Sequence, residues 1–345
     1  LVLPAGIAFG ALLPLLAEGG RGRAGEEPEG WMVRVLTGGL LAAVVAPAWL
    51  VPHLGFRSAI VAACSLILAF SGVALAFSFQ ASRLLRAAGI LAAGSAILFL
   101  VLGSVPGDPR LLSSGVHRYA REILERFRDD PEAYREARGK ADFPFYREGG
   151  EATVGVERIE AQVSPILALT VDGVAAGTTY HDLVPQILSA EIPMVIRPGA
   201  RRVLLIGYGT GIGAGSILLH PIESLDVAET EAAVVEASRR FEPANRSPRS
   251  DSRLALFPGD PGPLLRAKGP GAYDRTLCRA TAPEAASSRF LFTTSFYRLA
   301  ASRLRPNGLL AQALPLGGLS VFEVASVVKT ARSAFADVVL LQTHY

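Results

Sequence analysis

Cysteine is almost missing from this chain. The two present among 345 residues, Cys64 and Cys278, lie far apart and form no CxxC pair, which rules out a disulfide framework. Histidine is nearly as scarce: the five are scattered without metal-ligand spacing, so no zinc site and no other metal centre is expected. Charge is thin as well. Only 19% of residues are Asp, Glu, Lys or Arg, and a net charge of +3 without a basic run leaves no footprint for nucleic acid. The sequence has no GxxxxGK followed by Ser or Thr, which excludes a nucleotide-triphosphate loop.

Apolar residues fill the space that charge leaves. Half of the chain is hydrophobic, and the mean hydropathy is positive. Residues 1–17, 32–52, 58–79 and 84–105 are four long stretches almost free of charge. Crossing the ~30 Å hydrocarbon core takes about 20 apolar residues in a helix. The run "SAIVAACSLILAFSGVALAF" shows no polar face at 3.6-residue spacing. The expectation is four transmembrane helices over 1–105, packed through small residues in a lipid bilayer. The chain opens mid-pattern at Leu1, so it is expected to be a piece of a longer protein. The flanking arginines favour, by a small margin, a C-terminal half outside the cytoplasm.

Past Pro106 the texture changes. Residues 106–144 are expected to be a charged linker, with a surface helix over 117–140. "ATVGVERIEA" and "PILALTVDG" alternate like two strands of a small antiparallel sheet, closed by the turn dipeptide "DG", within a β domain at 145–198. From 199 to 345 strands and helices alternate. "RRVLLIGYGTG" is a buried strand running into glycines, "ESLDVAETE" a second strand, "SRLALFPGD" a third, "YDRTLCRA" a fourth and "GLLAQALPL" a fifth. Helices are expected from "SILLHP", "AAVVEASRRF" and "FTTSFYRLAASRL". That order predicts an α/β fold, a doubly wound parallel sheet with ligands at the carboxyl ends of its strands.

Three strand ends carry candidate ligand groups. Gly207, Gly209 and Gly211 let the backbone turn sharply and let a ligand approach the main chain. Glu229 ends the second strand, where an acid can accept from ribose hydroxyls. Asp260 ends the third, where it can accept from an amino group such as adenine N6. Together they predict an adenosine ligand.

These stretches, with "FYREGGEATVGVERI", "VLLIGYGTGIGAGSILLHP", "LDVAETEAAVVEASRRF", "RLALFPGD", "LFTTSFYRLAASRLRPNGLLAQALPL" and the upstream "LPAGIAFGALLPLLA", resemble the spermidine synthase-like (polyamine aminopropyltransferase) family. The resemblance is to its bacterial membrane form, in which the domain follows transmembrane helices. It implies a small β domain before a methyltransferase-like Rossmann sheet. It also implies an integral multi-pass membrane protein with a cytoplasmic C-terminal domain, since the family's donors are cytosolic, and is compatible with a homodimer. The donor would be decarboxylated S-adenosylmethionine or S-adenosylmethionine, bound at Gly207, Gly209 and Gly211 with Glu229 on the ribose and Asp260 on the adenine, and the acceptor a polyamine. Gln186 falls where the family has a substrate-contacting residue. Tyr180–His181 looks like the family's Tyr-His pair but lies too early, and is read as chance.

Three positions depart from the family pattern. Where the family has a carboxylate that orients the attacking amine and takes its proton, this chain has Arg279. Arginine stays protonated and cannot act as a base. Losing a positioned base costs ~10²–10⁴ in rate. Two like charges 4 Å apart repel by about 4 kcal/mol at an effective dielectric of 20, which opposes a cationic acceptor. Pro261, after Asp260, lacks the N–H that commonly helps read adenine. Arg275 puts a charge inside a strand expected to be apolar. Three readings follow. The first is aminopropyl transfer impaired at Arg279, with an acid supplied by Glu284 or Asp182. The second is an S-adenosylmethionine-dependent transferase acting on an anionic acceptor. The third is a non-catalytic membrane-bound binding module.

Overall fold

The computed structural model describes residues 108–279, 288–314, 316 and 319–342, with a few isolated positions between 61 and 97. The chain divides into two compact units, Leu1–Asp108 and Pro109–Tyr345, and the described elements all belong to the second. The multi-pass membrane placement is overturned. Among the described residues no helix is long and apolar enough to cross a membrane. The longest described helix has 14 residues, a rise of about 21 Å against the ~30 Å that a span requires. The four apolar stretches themselves lie, isolated positions apart, outside the described residues. Periodicity misleads here because an apolar run without a polar face is equally the mark of a helix buried in protein.

The second unit opens with three helices, α1 (Pro109–Leu112), α2 (Val116–Arg126) and α3 (Pro131–Gly139). The single surface helix expected over 117–140 is thus two. Pro131 cannot continue a helix but starts one well, and Asp130 caps α3 by accepting from the Ala133 N–H at 3.0 Å.

Four strands follow: β1 (Asp142–Glu148), β2 (Thr153–Ile159), β3 (Ile166–Val171) and β4 (Val174–Thr178). They form an antiparallel meander in that order. Asp172 and Gly173 close the β3–β4 hairpin with left-handed φ of 50° and 74°, the backbone a two-residue turn requires. The inner face of the meander buries Val154, Val156 and Leu169 against Ala233, Val234 and Phe241.

Helix α4 (Leu183–Ile196) leads to the second sheet. Its strands β5 (Arg202–Ile206), β6 (Ser224–Glu229), β7 (Leu254–Pro258), β8 (Tyr273–Cys278) and β9 (Leu304–Gln312) lie in the order β7-β6-β5-β8-β9, every pair parallel. Helices α5 (Ile212–Ile217), α6 (Ala232–Ala237), α7 (Pro261–Ala267), α8 (Thr294–Arg303) and α9 (Val321–Arg332) complete it. Val203, Leu205, Leu225 and Val227 pack on one side with Met194 and Ile217, while Leu204 and Ile206 pack on the other with Leu265 and Phe296. Each such side chain, fully buried, contributes about 1.5–3 kcal/mol. The chain order reverses between β5 and β8. The carboxyl ends of the strands at such a reversal are the place where doubly wound sheets take their ligands.

Candidate active site

The glycine loop begins where β5 ends. Gly207, Gly209 and Gly211 have φ of 88°, 56° and 82°, in the region that side chains disfavour. The Gly207 N–H donates to the Ala228 carbonyl at 2.9 Å, which holds the loop against the end of β6. Helix α5 then starts at Ile212, four residues before the "SILLHP" segment expected to begin it.

Glu229, the last residue of β6, faces this loop. One carboxylate oxygen accepts from the Tyr208 N–H at 2.8 Å and the other from the Glu231 N–H at 3.1 Å. Burial pushes its pKa up, against backbone N–H groups that pull it down. The backbone N–H groups of Gly209 and Thr230 also act on the carboxylate, and the Thr230 hydroxyl lies 3.5 Å from Oε1. Glu229 also lines a cavity of about 270 Å³ with Val235, Leu256 and Pro258, rimmed by Arg239 and Arg249. Asp260 stands apart from that cavity. It is exposed, and its Oδ1 caps α7 by accepting from the Gly262 N–H at 2.5 Å. Pro261 occupies the first helical position, where an N–H would have no partner within the helix.

Gln186 is buried on α4 and already engaged. Its Nε2 donates to the Thr178 carbonyl at 2.8 Å, and its Oε1 accepts from the Thr210 hydroxyl at 2.5 Å. It clamps α4 and the end of β4 to the glycine loop. Asp182, one turn earlier, is the N-cap residue of α4, and its side chain turns back to the end of β4: its Oδ1 accepts from the N–H of Thr178 at 2.6 Å and from the Thr178 hydroxyl. Tyr180 and His181 stack edge to face at 5.3 Å, with Tyr180 exposed.

Arg279 follows β8 directly. Its N–H donates to the Ile206 carbonyl at 2.8 Å, which fixes it beside the end of β5, where the glycine loop begins. Its guanidinium lies on Gly213, in the first turn of α5. A Cβ at Gly213 would run into Nη1 and come within 3.0 Å of Cζ. Burial pushes the pKa of Arg279 down to about 10, with the charge of Asp182 acting the other way. The guanidinium remains protonated at neutral pH and cannot take a proton. Glu284 lies outside the described residues.

The structure thus joins Glu229 to the loop, Gln186 to Thr210, and Arg279 to Gly213 and the field of Asp182. Asp260 caps its own helix. Three supporting residues escaped the sequence reading. Thr210 was quoted in "GYGTG" without a role. Buried Asn245 donates from Nδ2 to the carbonyls of Thr210 and Ser238, both at 2.9 Å. Glu231 accepts from the N–H groups of Glu151, Ala152 and Ala233, tying the β1–β2 turn to α6. Only the second acid in "ETE" hinted at that last link.

Residues 184–342 match the model of the spermine/spermidine synthase domain. Putrescine N-methyltransferase 3 of Nicotiana tabacum is 28% identical over 168 residues, which are 48% of this chain and 44% of that protein. Spermidine synthase of Dictyostelium discoideum is 30% identical over 143 residues, 41% of this chain and 50% of that one. A crystal structure of spermidine synthase in complex with the transition-state analogue AdoDATO superimposes with a TM-score of 0.52 at 18% identity, covering 56% of this chain and 66% of the other. That likeness concerns the fold. The chain spans about half the length of the curated relatives it matches. The spermidine synthase-like resemblance is therefore supported over the C-terminal domain. Its bacterial, membrane-bound refinement is not.

Proposed function

We propose that this domain is a spermidine synthase-like transferase that binds an adenosyl sulfonium donor over the Gly207–Gly211 loop and moves an alkyl group to an amine. The observation that carries the reading is the tie between that loop and Glu229 at the end of β6, where the Tyr208 N–H holds the carboxylate beside the loop at 2.8 Å. In this reading Glu229 exchanges its weakest contact, the Thr230 hydroxyl at 3.5 Å, for ribose hydroxyls. Asp260, which is exposed, is the adenine-side acceptor.

In the transfer an amine lone pair forms a bond to the carbon attached to the sulfonium. The carbon–sulfur bond breaks, its electrons stay on sulfur, and the new ammonium loses a proton. The aminopropyl group of decarboxylated S-adenosylmethionine and the methyl group of S-adenosylmethionine both move by this step. Putrescine N-methyltransferases and spermidine synthases both stand among the similar proteins. Arg279 cannot accept the released proton. Asp182, the carboxylate whose field reaches Arg279, is the nearest assigned alternative. Aminopropyl transfer is impaired accordingly, by ~10²–10⁴ relative to a site with a positioned base. Methyl transfer from S-adenosylmethionine is the second reading, favoured by the cation at position 279.

One assay separates them. The full chain is incubated with putrescine and each donor, and the nucleoside by-product is followed by mass spectrometry. Methylthioadenosine from the decarboxylated donor reports aminopropyl transfer, and S-adenosylhomocysteine from the other reports methyl transfer. Slow, enzyme-dependent release of either supports the transferase, and Asp182→Asn lowers it further. Release of neither above the enzyme-free blank, across a panel of amines, removes the reading.

A further inference from the structure

Arg279 is a cation in an odd setting. Its guanidinium is laid on Gly213, in the first turn of α5, a position whose missing side chain makes the room. Among the described residues it makes no side-chain hydrogen bond and no ion pair. Its fellow arginine on the same strand, Arg275, donates to three carbonyls and shows how this fold satisfies a guanidinium it uses for structure. A guanidinium presents five donors in a rigid fork that matches two oxygens on one carbon. Asp182 supplies the opposite charge. It is the N-cap residue of α4, one turn from the Gln186 that clamps the helix to the glycine loop, and its charge acts on Arg279 without a direct ion pair. A cation just past β8 and an anion at the start of α4, set apart in this way, complement a ligand carrying the reverse pair.

Resting on the adenosyl-transferase reading above, we propose that Arg279 is a carboxylate-recognition residue and that Arg279 and Asp182 together take the zwitterionic end of an α-amino acid. The carboxylate meets the guanidinium and the ammonium meets Asp182. Two ligands carry that chemistry into an adenosyl site: the methionine end of S-adenosylmethionine, or an amino-acid acceptor. Decarboxylated S-adenosylmethionine and putrescine lack the carboxylate and bring only positive charge toward Arg279.

Calorimetric titration of the full chain tests this. 5′-Methylthioadenosine, which carries neither charged group, reports whether the nucleoside subsite is intact. S-adenosylmethionine against its decarboxylated form, and L-ornithine against putrescine, isolate the carboxylate. The expected result is at least a tenfold preference for one carboxylated member, lost in Arg279→Gln and partly kept in Arg279→Lys, which retains the charge without the fork. A preference in the donor pair assigns the carboxylate to the donor, and one in the acceptor pair assigns it to the acceptor. Binding of methylthioadenosine with no preference in either pair overturns the proposal and leaves the adenosyl reading standing. If methylthioadenosine does not bind, the adenosyl reading falls, and the ornithine–putrescine pair alone decides for or against Arg279.

Discussion

Strand β8 carries an arginine in its interior and another just past its end, four residues apart, and the two regions treat the same side chain in opposite ways. In the interior, Arg275 is 4% exposed. It donates to the carbonyls of Pro193 at 3.2 Å and Asp274 at 2.7 Å, and to that of Arg197. Pro193 lies in the last turn of α4 and Arg197 is its C-cap. A helix leaves its final carbonyls without partners and its C-terminus with partial negative charge. Arg275 answers both needs, so a charge that looked out of place in a central strand is the end-cap of a helix on the sheet's face. Burial lowers its pKa, against the raising field of Asp274. At the strand's end, Arg279 has Gly213 to lie on and no such acceptors among the described residues. Buried cations with carbonyl partners belong to the fold. Those left without them beside a glycine loop belong to what binds there.

Breaking the first half of that comparison should give the largest effect. Arg275→Ala strands acceptors at the end of α4 and removes a packed side chain, at a cost of about 3 kcal/mol. The urea midpoint of the full chain should fall without a change in m value, while nucleoside binding per folded molecule persists. Arg275→Lys recovers only part, because one ammonium cannot reach three carbonyls. A loss below about 1 kcal/mol for the alanine variant would mean that water serves these carbonyls equally well, and Arg275 would no longer count as a fold element.

The second half breaks with the opposite sign. Burial holds the Arg279 pKa at about 10, below the ordinary arginine value. Between those two values the unfolded chain binds more protons than the folded one, so the native state is penalised at every pH below about 10 and recovers as pH rises above it. Arg279→Met removes the penalty. The expected gain is about 1–2 kcal/mol at pH 7, less than the full shift because part of the side chain meets solvent. The gain should stay level up to pH 10 and shrink above it, as read from denaturant midpoints across pH. A site residue that costs stability is the usual signature of function. A variant that is destabilised instead would make Arg279 a second structural arginine and dissolve the contrast.

Much of this architecture could be read along the chain, and what could not depended on partners distant in sequence. "RVLLI" and "SLDVAE" are continuous apolar runs ending in Gly or Glu, and both are strands of the parallel sheet. Strand β4 reads "VAAGT", too small and too even to alternate, and β1 carries Pro144, so the four-stranded meander appeared as two strands. Pro261, which leaves the adenine side without an N–H, also begins a helix at a position where that N–H has no partner within the helix. The contacts of Gln186 with Thr178 and Thr210 could not be read along the chain. The glycine loop and Glu229 were legible because both sides of their contact are themselves the motif. The seat of Arg279 was not, since Gly213 sits 66 residues earlier and offers only the absence of a side chain. The apolar stretches before residue 106 lie, isolated positions apart, outside the described residues, and an apolar run alone does not decide between a bilayer and a protein interior.

That seat allows the finest test, with the smallest expected effect on stability. Gly213→Ala puts a methyl group where Nη1 now lies. An alanine in a helix is favoured over glycine by about 1 kcal/mol, and the obstacle is the far end of a flexible side chain, which can swing aside. The two contributions oppose each other, so the unfolding midpoint should move by less than about 1 kcal/mol in either direction. The guanidinium, however, loses its resting place, and any preference for a carboxylated ligand should drop severalfold while methylthioadenosine affinity holds. Combining Gly213→Ala with Arg279→Met isolates the contact: once the guanidinium is gone, the alanine should show a helix-propensity gain closer to the full ~1 kcal/mol. Strict additivity of the two substitutions would mean that Gly213 and Arg279 do not meet in solution. The cradle would then be no part of the site, and the difference between the two arginines of β8 would rest on Arg275 alone.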